Sequence, residues 1–424
     1  MAGSFPKPRS FRTLGIREAH VDISKPLKKK MANTAFRQPV IGGVVSRWLW
    51  LNVGMFLPGS LGIESFRYCV SSKLSDVNGT TLAAVARRAG VSSSTASLVF
   101  SGSGPVAEST RERVLAAAHE LNYPGPDPRA RSLRRGRSGI VGIVTLQRLR
   151  DAFRDPIKIA LLGGITEEIA AINAGLLLLT TDNDSPTRIE DAPLDALVVM
   201  GFESRIAPAL DRVRQRNVPI VSIEGIPDEG IVTIGQDNRV ATRTAAEHLY
   251  ALGHRDIAIV ALPLTVGDHR GLLSNEPDRP SASTTAVDRL AGARDIFPNA
   301  IVWSTRGSLV EEGRLAAHSL LADPVRRPTA IIAQSDLLAA GVIRGAEECG
   351  LSVPQELSVI GFDGVRVDGL WPYDLTTLVQ PAVDKGRAAG RALVAMLEGH
   401  TPESTIFPSV FRLGNTTAEV PPSL

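Results

Sequence analysis

The stretch TLAAVARRAGVSSSTASLVF, residues 81 to 100, places Ser92, Ser93, Ser94, Thr95 and Ser97 within six positions and follows them with Leu98. A hydroxyl both donates and accepts hydrogen bonds. On one face of a helix, such short groups fit against phosphates and base edges in a DNA major groove, where long acidic or bulky apolar groups would not. A merely solvated helix face is the other reading. The neighbouring residues favour DNA.

Those residues must be held by helices, and the spacing supplies them. Thr81 can cap a first helix in which Leu82, Val85, Ala86 and Ala89 form one apolar stripe. Gly90 gives the tight turn, Val91 points back to the core, and Ser92 can cap a second helix whose buried side continues through Ala96 and Val99. The small Ala86 and Ala96 allow the steep, close approach of a helix-turn-helix. A third helix, about Glu108 to Asn122, offers Val114, Ala118 and Leu121 to the same small core. From Val77 to Arg137 nine arginines stand against Glu108, Glu112, Glu120 and Asp127, an excess of five positive charges. The whole chain has 47 basic against 44 acidic residues, so its positive excess is concentrated where phosphates would be neutralised.

A length of 424 residues predicts two or three domains, and 43% hydrophobic residues suffice for their cores. Four regions separate by composition: an extension over 1–76, the helical unit over 77–124, the proline-punctuated basic connector PGPDPRARSLRRGR leading to a hinge over 125–137, and an α/β core over 138–424. Two distant cysteines, Cys69 and Cys349, read as free thiols of a reducing, cytoplasmic compartment. Within the extension, PVIGGVVSRWLWLNVGMFLPGSLGI (39 to 63) is apolar, but Arg47 interrupts it and Pro58 ends it. A membrane anchor, a buried or interfacial helix, and an unstructured extension from a start site placed too early are the three readings. The last is adopted, with no membrane partner.

The core alternates apolar runs with helical stretches, the pattern of parallel sheets covered on both faces. Eight runs read as strands, 139–146, 175–181, 196–201, 219–225, 256–262, 300–305, 329–335 and 357–363. They predict two doubly wound lobes with a ligand cleft between them: a first lobe of about 138–236 and 377–405, and a second of about 237–376 and 406–424. Residues 264 to 286 read as a mobile loop. No HExxH, phosphate-binding lysine loop or paired cysteine ligands occur, His248 and His254 lack an obvious metal partner, and neither an enzyme, a cofactor nor a metal is expected.

The helical unit and the connector RARSLRRGRSGIVGIV, with HLYALGHRDIAIV, DRLAGARDIF, TAIIAQSDLLAAGVIRGAEECGLSVPQELSVIGFD and DLTTLVQP, resemble the lactose-repressor (LacI) family of bacterial transcription regulators over about 77 to 424. The resemblance implies a helix-turn-helix headpiece joined to a two-lobed, periplasmic-binding-protein-like α/β core. It also implies a homodimer on a pseudo-palindromic double-stranded operator, repression, and control by a small effector such as a sugar. In the hinge it matches Leu133 to a leucine that wedges into the minor groove and Ala130 to the small contact between paired hinge helices, with Arg129 and Arg134 on DNA. In the cleft it matches Arg289, Ser335, Asp336 and Asp363 to effector contacts. An interdomain salt bridge is the competing reading for the arginine and carboxylate, and Trp371 would either stack on a sugar ring or pack against the cleft rim.

Departures from the family pattern carry information. Leu98 stands where the family often has arginine, which removes an arginine–guanine contact and offers apolar contact to a thymine methyl. Ala107 replaces a frequent capping serine, so Ser109 or Thr110 would have to compensate. DNDSPTRIEDAPLDALVV is short where the family usually has a full helix, so the first lobe is expected to lack one on one face. A ligand-free DNA-binding protein and an uptake solute-binding protein are the alternatives; the headpiece argues against the latter.

Overall fold

The computed structural model describes residues 81–127, 136–146, 149–180, 188–201, 206–225, 228–264, 269–273 and 283–420. All lie within the unit Asp76–Leu424.

The first three helices are α1 (Leu82–Ala89), α2 (Ser93–Ser101) and α3 (Glu108–Glu120). Val85, Ala86, Ala89, Ala96, Val99, Val114, Ala117 and Ala118 form their core, with Leu82, Val91, Phe100, Leu121 and Tyr123 packed around it. Phe100 and Tyr123 meet edge to face, their centroids 5.4 Å apart. Gly90 takes φ 68° and ψ 37°, a left-handed conformation that turns the chain between α1 and α2 with little steric penalty.

The core comprises β1 (Ile140–Thr145), α4 (Leu149–Ala152), α5 (Pro156–Ile169), β2 (Gly175–Thr180), β3 (Ala196–Met200), α6 (Ala207–Gln215), β4 (Ile220–Ile223), β5 (Ile231–Gln236), α7 (Asn238–Ala251), β6 (Ile257–Ala261), β7 (Gly271–Leu272), α8 (Thr284–Arg294), β8 (Ile301–Ser304), α9 (Val310–Leu320), β9 (Ala330–Ala333), α10 (Asp336–Glu348), β10 (Ser358–Asp363), β11 (Thr376–Val379), α11 (Ala382–Leu397), β12 (Thr405–Phe407) and β13 (Val410–Arg412). The strands form two sheets, β12-β5-β4-β3-β1-β2 and β13-β11-β10-β9-β6-β8-β7. Every pairing in the first is parallel. In the second, β13 runs antiparallel to β11, and β7 to β8.

Each sheet is the middle layer of one lobe, with apolar clusters on both faces. This is why β3 and β6 are buried at every residue and show no polar alternation. The chain passes between lobes three times, near Asp237, Gln380 and Ser409. The Asp237 carboxylate accepts from the Ser409 amide and hydroxyl at 2.9 and 2.7 Å, clamping the first passage to the third.

One sequence expectation changes here. The span 264–286 contains β7 and the start of α8, because Gly271 and Leu272 pair with β8 and become the edge of the second sheet; 265–268 and 274–282 are outside the described residues. Between β2 and β3 the described residues form only a 3-10 turn, Ile189–Asp191.

Candidate nucleic-acid interface and ligand cleft

The opening run of hydroxyls divides into caps and a presented face. Thr81 Oγ1 accepts from the Ala84 amide at 3.2 Å, and Ser92 Oγ accepts from the Thr95 amide at 3.1 Å. Ser92 Oγ also lies 2.7 Å from Ser94 Oγ and 2.8 Å from Thr95 Oγ1. Ser93, Ser94 and Leu98 are exposed, whereas Thr95 and Ser97 are half-buried. An outward face running over Ser93, Ser94, Thr95, Ser97 and Leu98, as the sequence offers it, is therefore narrowed: a nine-residue helix packed on both α1 and α3 leaves only a slim stripe. Leu98 leans over the loop after α2, its Cδ2 3.5 Å from where a Cβ on Gly104 would stand. Arg87 and Arg88 are exposed at the end of α1, and Arg88 pairs with Glu120 at 2.6 Å.

Ala107 caps α3 with no side-chain hydrogen bond. Thr110 Oγ1 instead accepts from Arg113 at 3.4 Å, so no hydroxyl replaces the missing cap. Arg129, Ala130, Leu133 and Arg134 lie outside the described residues. At the core's entrance, the Asp195 carboxylate accepts from the Ser138 and Gly139 amides, both at 2.7 Å, and Arg137 donates to the Leu397 carbonyl at 2.9 Å.

The cleft lies at the carboxyl ends of the strands, where chain reversal in open α/β sheets leaves room for ligands. Arg289 of α8 is buried there, its guanidinium carbon 3.5 Å from the Phe362 ring centroid. Its Nε donates to Asn238 Oδ1 at 2.8 Å, its Nη1 donates to the Gln334 carbonyl at 2.5 Å, and Nη1 stands 3.5 Å from Asp363 Oδ1. Asp363 ends β10 at φ 119°, a strained backbone for a non-glycine residue, and Oδ1 also accepts from Gln380 at 2.7 Å. No hydrogen bond joins Arg289 Nη2 or Asp363 Oδ2 to another described residue, which leaves donor capacity on the arginine and acceptor capacity on the carboxyl group. Burial pushes the Asp363 carboxyl well above the usual carboxylate range; Asp336 and Asp155 push the same way, against Arg289 and Gln380.

Arg289 and Asp363 both belong to the second lobe, so their contact is not the interdomain salt bridge considered from sequence. Ser335 and Asp336 face inward. Ser335 Oγ caps α10 by accepting from the Leu338 amide at 3.2 Å, and it takes a hydrogen bond from Ser308 at 2.8 Å. Asp336 Oδ1 accepts from Thr377 at 2.6 Å and Oδ2 from the Val365 amide at 2.7 Å, so this carboxylate ties α10 to β11 and the turn after β10. Burial pushes it up to about 7 against those bonds. A Cβ on Gly361 would lie 2.2 Å from Asp336 Oδ1, so the carboxylate occupies space that any other residue at 361 would fill.

Trp371 is 90% exposed, which does not agree with its packing against the cleft rim. Its segment is carried along α10, where Tyr373 donates to Glu347 at 2.7 Å and Arg344 to the Asp368 carbonyl at 3.1 Å. At 1.5 Å per residue, Glu347 is about 16 Å along the helix from the cleft-facing Asp336.

Sequence reasoning passed over Glu224 and Lys385. Glu224 follows β4 at φ 57°; it pairs with Lys385 of α11 and accepts from Asn238 at 3.1 Å and Thr285 at 2.8 Å. Lys385 is 0% exposed and donates to Gln380 Oε1 at 2.9 Å. An isolated lysine in a helix reads as a surface residue, so only the tertiary structure exposes this pair. His254, by contrast, is a core histidine held between Thr329 Oγ1 at 2.9 Å and the Ala418 carbonyl at 3.0 Å.

Among the described residues no cluster of three His, Cys, Asp or Glu could hold a metal, and no helix is long and apolar enough to cross a membrane. Residues 81–125 match the family described as bacterial regulatory proteins, lacI family, and residues 246–417 match a periplasmic binding protein-like domain. An HTH-type transcriptional regulator of Mycolicibacterium smegmatis is 33% identical over 74% of this chain and 89% of its own length. The HTH-type transcriptional regulator IpsA of Corynebacterium glutamicum is 29% identical over 80% of this chain and 98% of its own. The lac repressor dimer bound to operator and the anti-inducer ONPF shares the fold, with TM-score 0.62 and 24% identity over 80% of this chain and 99% of that one. The three-helix unit with its hydroxyl-bearing α2, the two-lobed core and these relatives together make the chain a DNA-binding transcriptional regulator, not an enzyme, of the LacI family.

Proposed function

We propose that the chain represses transcription by binding a pseudo-palindromic double-stranded operator as a homodimer, with the 77–124 headpieces in successive major grooves and the 125–137 hinges between them. The observation that carries this reading is the outward stripe of α2, where Ser93, Ser94 and Leu98 are exposed while its other face is committed to the core. A family headpiece supplies one such helix per half-site. The protein acts in the cytoplasm, on the nucleoid, without a membrane partner.

The effector is a small neutral polyhydroxyl compound such as a sugar, bound in the cleft by Arg289 and Asp363. Nη2 and Oδ2 supply the donor and acceptor capacity that adjacent hydroxyls need. Ser335 and Asp336 support that site from behind through Ser308, Thr377 and the turn after β10.

Selection from a random DNA pool tests the reading, using residues 77–424 and the full chain at one salt concentration. A palindromic motif with a CG-like centre is the expected product. A folded dimer that enriches no sequence would overturn operator binding.

A further inference from the structure

Six side chains close a ring inside the cleft. Lys385 donates to Glu224 and Gln380; Gln380 donates to Asp363; Asp363 stands against Arg289; Arg289 donates to Asn238; and Asn238 donates back to Glu224. Around it Lys385 and Arg289 alternate with the carboxyl groups of Glu224 and Asp363. Glu224 and Lys385 belong to the first lobe, Asn238, Arg289 and Asp363 to the second, and Gln380 to a passage between them.

We propose that Lys385 is a positioning residue of the ligand cleft: its buried ammonium fixes Arg289 through Glu224 and Asn238, and Asp363 through Gln380. Beyond the ammonium's own contact, the path to Arg289 is two hydrogen bonds long and the path to Asp363 is one. The inference rests on the ligand reading of the cleft only for the meaning given to Arg289 and Asp363. Its test needs neither DNA nor effector, so the two can fail separately.

The electrostatics agree with the geometry. The charged groups around Glu224 are Lys385 from α11 and Arg289 and Asp288 from α8. Burial alone would raise the Glu224 carboxyl, but Lys385 and Arg289 outweigh it and hold it down at about 2. A folded-state value below the unfolded one gives stability that is fully present above about pH 4.5 and lost as pH falls toward 2. Without Lys385 burial dominates, the folded value rises, and Glu224 favours unfolding increasingly as pH climbs above the unfolded value.

The experiment compares the full chain with Lys385→Met, and with Lys385→Met combined with Glu224→Gln, by thermal unfolding at about pH 5 and pH 7.5. Methionine keeps most of the lysine stem's packing. Lys385→Met is expected to lower the midpoint by roughly 5–10 °C at the higher pH and by less at the lower. The double variant is expected to recover most of that loss and its pH dependence. An equal loss at both pH values, or a double variant no better than the single, overturns the proposal. If Lys385→Met does not fold, a folded double variant supports it and an unfolded one overturns it. Crystals of whichever variant folds give the positioning readout: Arg289 is expected to move from its 3.5 Å separation from Asp363. An unmoved Arg289 overturns the positioning role whatever the stability shows.

Discussion

At the scale of single residues, the proposed DNA contact turns on what the side chain at 98 offers from the outward stripe of α2. Leucine offers methyls and no hydrogen bond, and it is 38% exposed beside Ser94 and Gly104. Leu98→Arg adds a planar donor fork able to grip the O6 and N7 of guanine. Repeating the DNA selection with this variant should replace the preferred base at one position of each half-site with guanine, worth about 1–3 kcal/mol of discrimination. An unchanged motif would mean that residue 98 does not reach the bases. The spacing of Val85, Ala86, Ala96 and Val99 made the exposed Ser93, Ser94 and Leu98 legible but not the partial burial of Thr95 and Ser97. The Glu224–Lys385 pair was not legible, because lysine carries no sequence mark of burial; a fold must first bring a carboxylate and an amide to its ammonium.

At the scale of elements, legibility followed length and burial. All eight strands read from the sequence exist, and all but the edge strand β2 and the partly exposed β8 are apolar runs buried almost throughout. The strands that escaped are β5, β7, β11, β12 and β13. Four of them have two to four residues, and β7, β12 and β13 lie at sheet edges where partial exposure erases the apolar signal. β5 carries Thr233, Gly235 and Gln236 in six residues, which reads as a loop. The N-caps of the three headpiece helices were legible one by one, including the absent one: Ala107 leaves the first turn of α3 without a side-chain acceptor. Ala107→Ser should stabilise that turn by about 1 kcal/mol. In the full chain this is checked by hydrogen exchange of the Ser109 and Thr110 amides, expected to slow about fivefold if local opening governs exchange. Unchanged exchange would show that the serine does not cap.

At the scale of the whole molecule, the cleft and the reading helix are separate structures, and any influence between them must cross residues 125–137. The core end of that connection is firmly held. Asp195 grips Ser138 and Gly139, and Leu397 at the end of α11 holds Arg137, so a shift of the first lobe is passed directly to the start of the hinge. The same α11 carries Lys385 three turns earlier, which places the ring of cleft charges and the hinge anchor on one rigid element. If Leu133 is the side chain that wedges into DNA, the two faces of the molecule can be uncoupled there. Leu133→Glu removes the apolar insertion and sets a negative charge against phosphates, forfeiting the contacts that a few kcal/mol of base unstacking make possible. Operator affinity in a mobility-shift titration is then expected to fall at least tenfold, while sedimentation shows the proposed dimer unchanged, because no core residue is altered. Unaltered affinity would end the wedge assignment and leave 125–137 as a basic tether. A lost dimer would mean instead that the hinge contributes to self-association, so that DNA binding and assembly are set by the same residues.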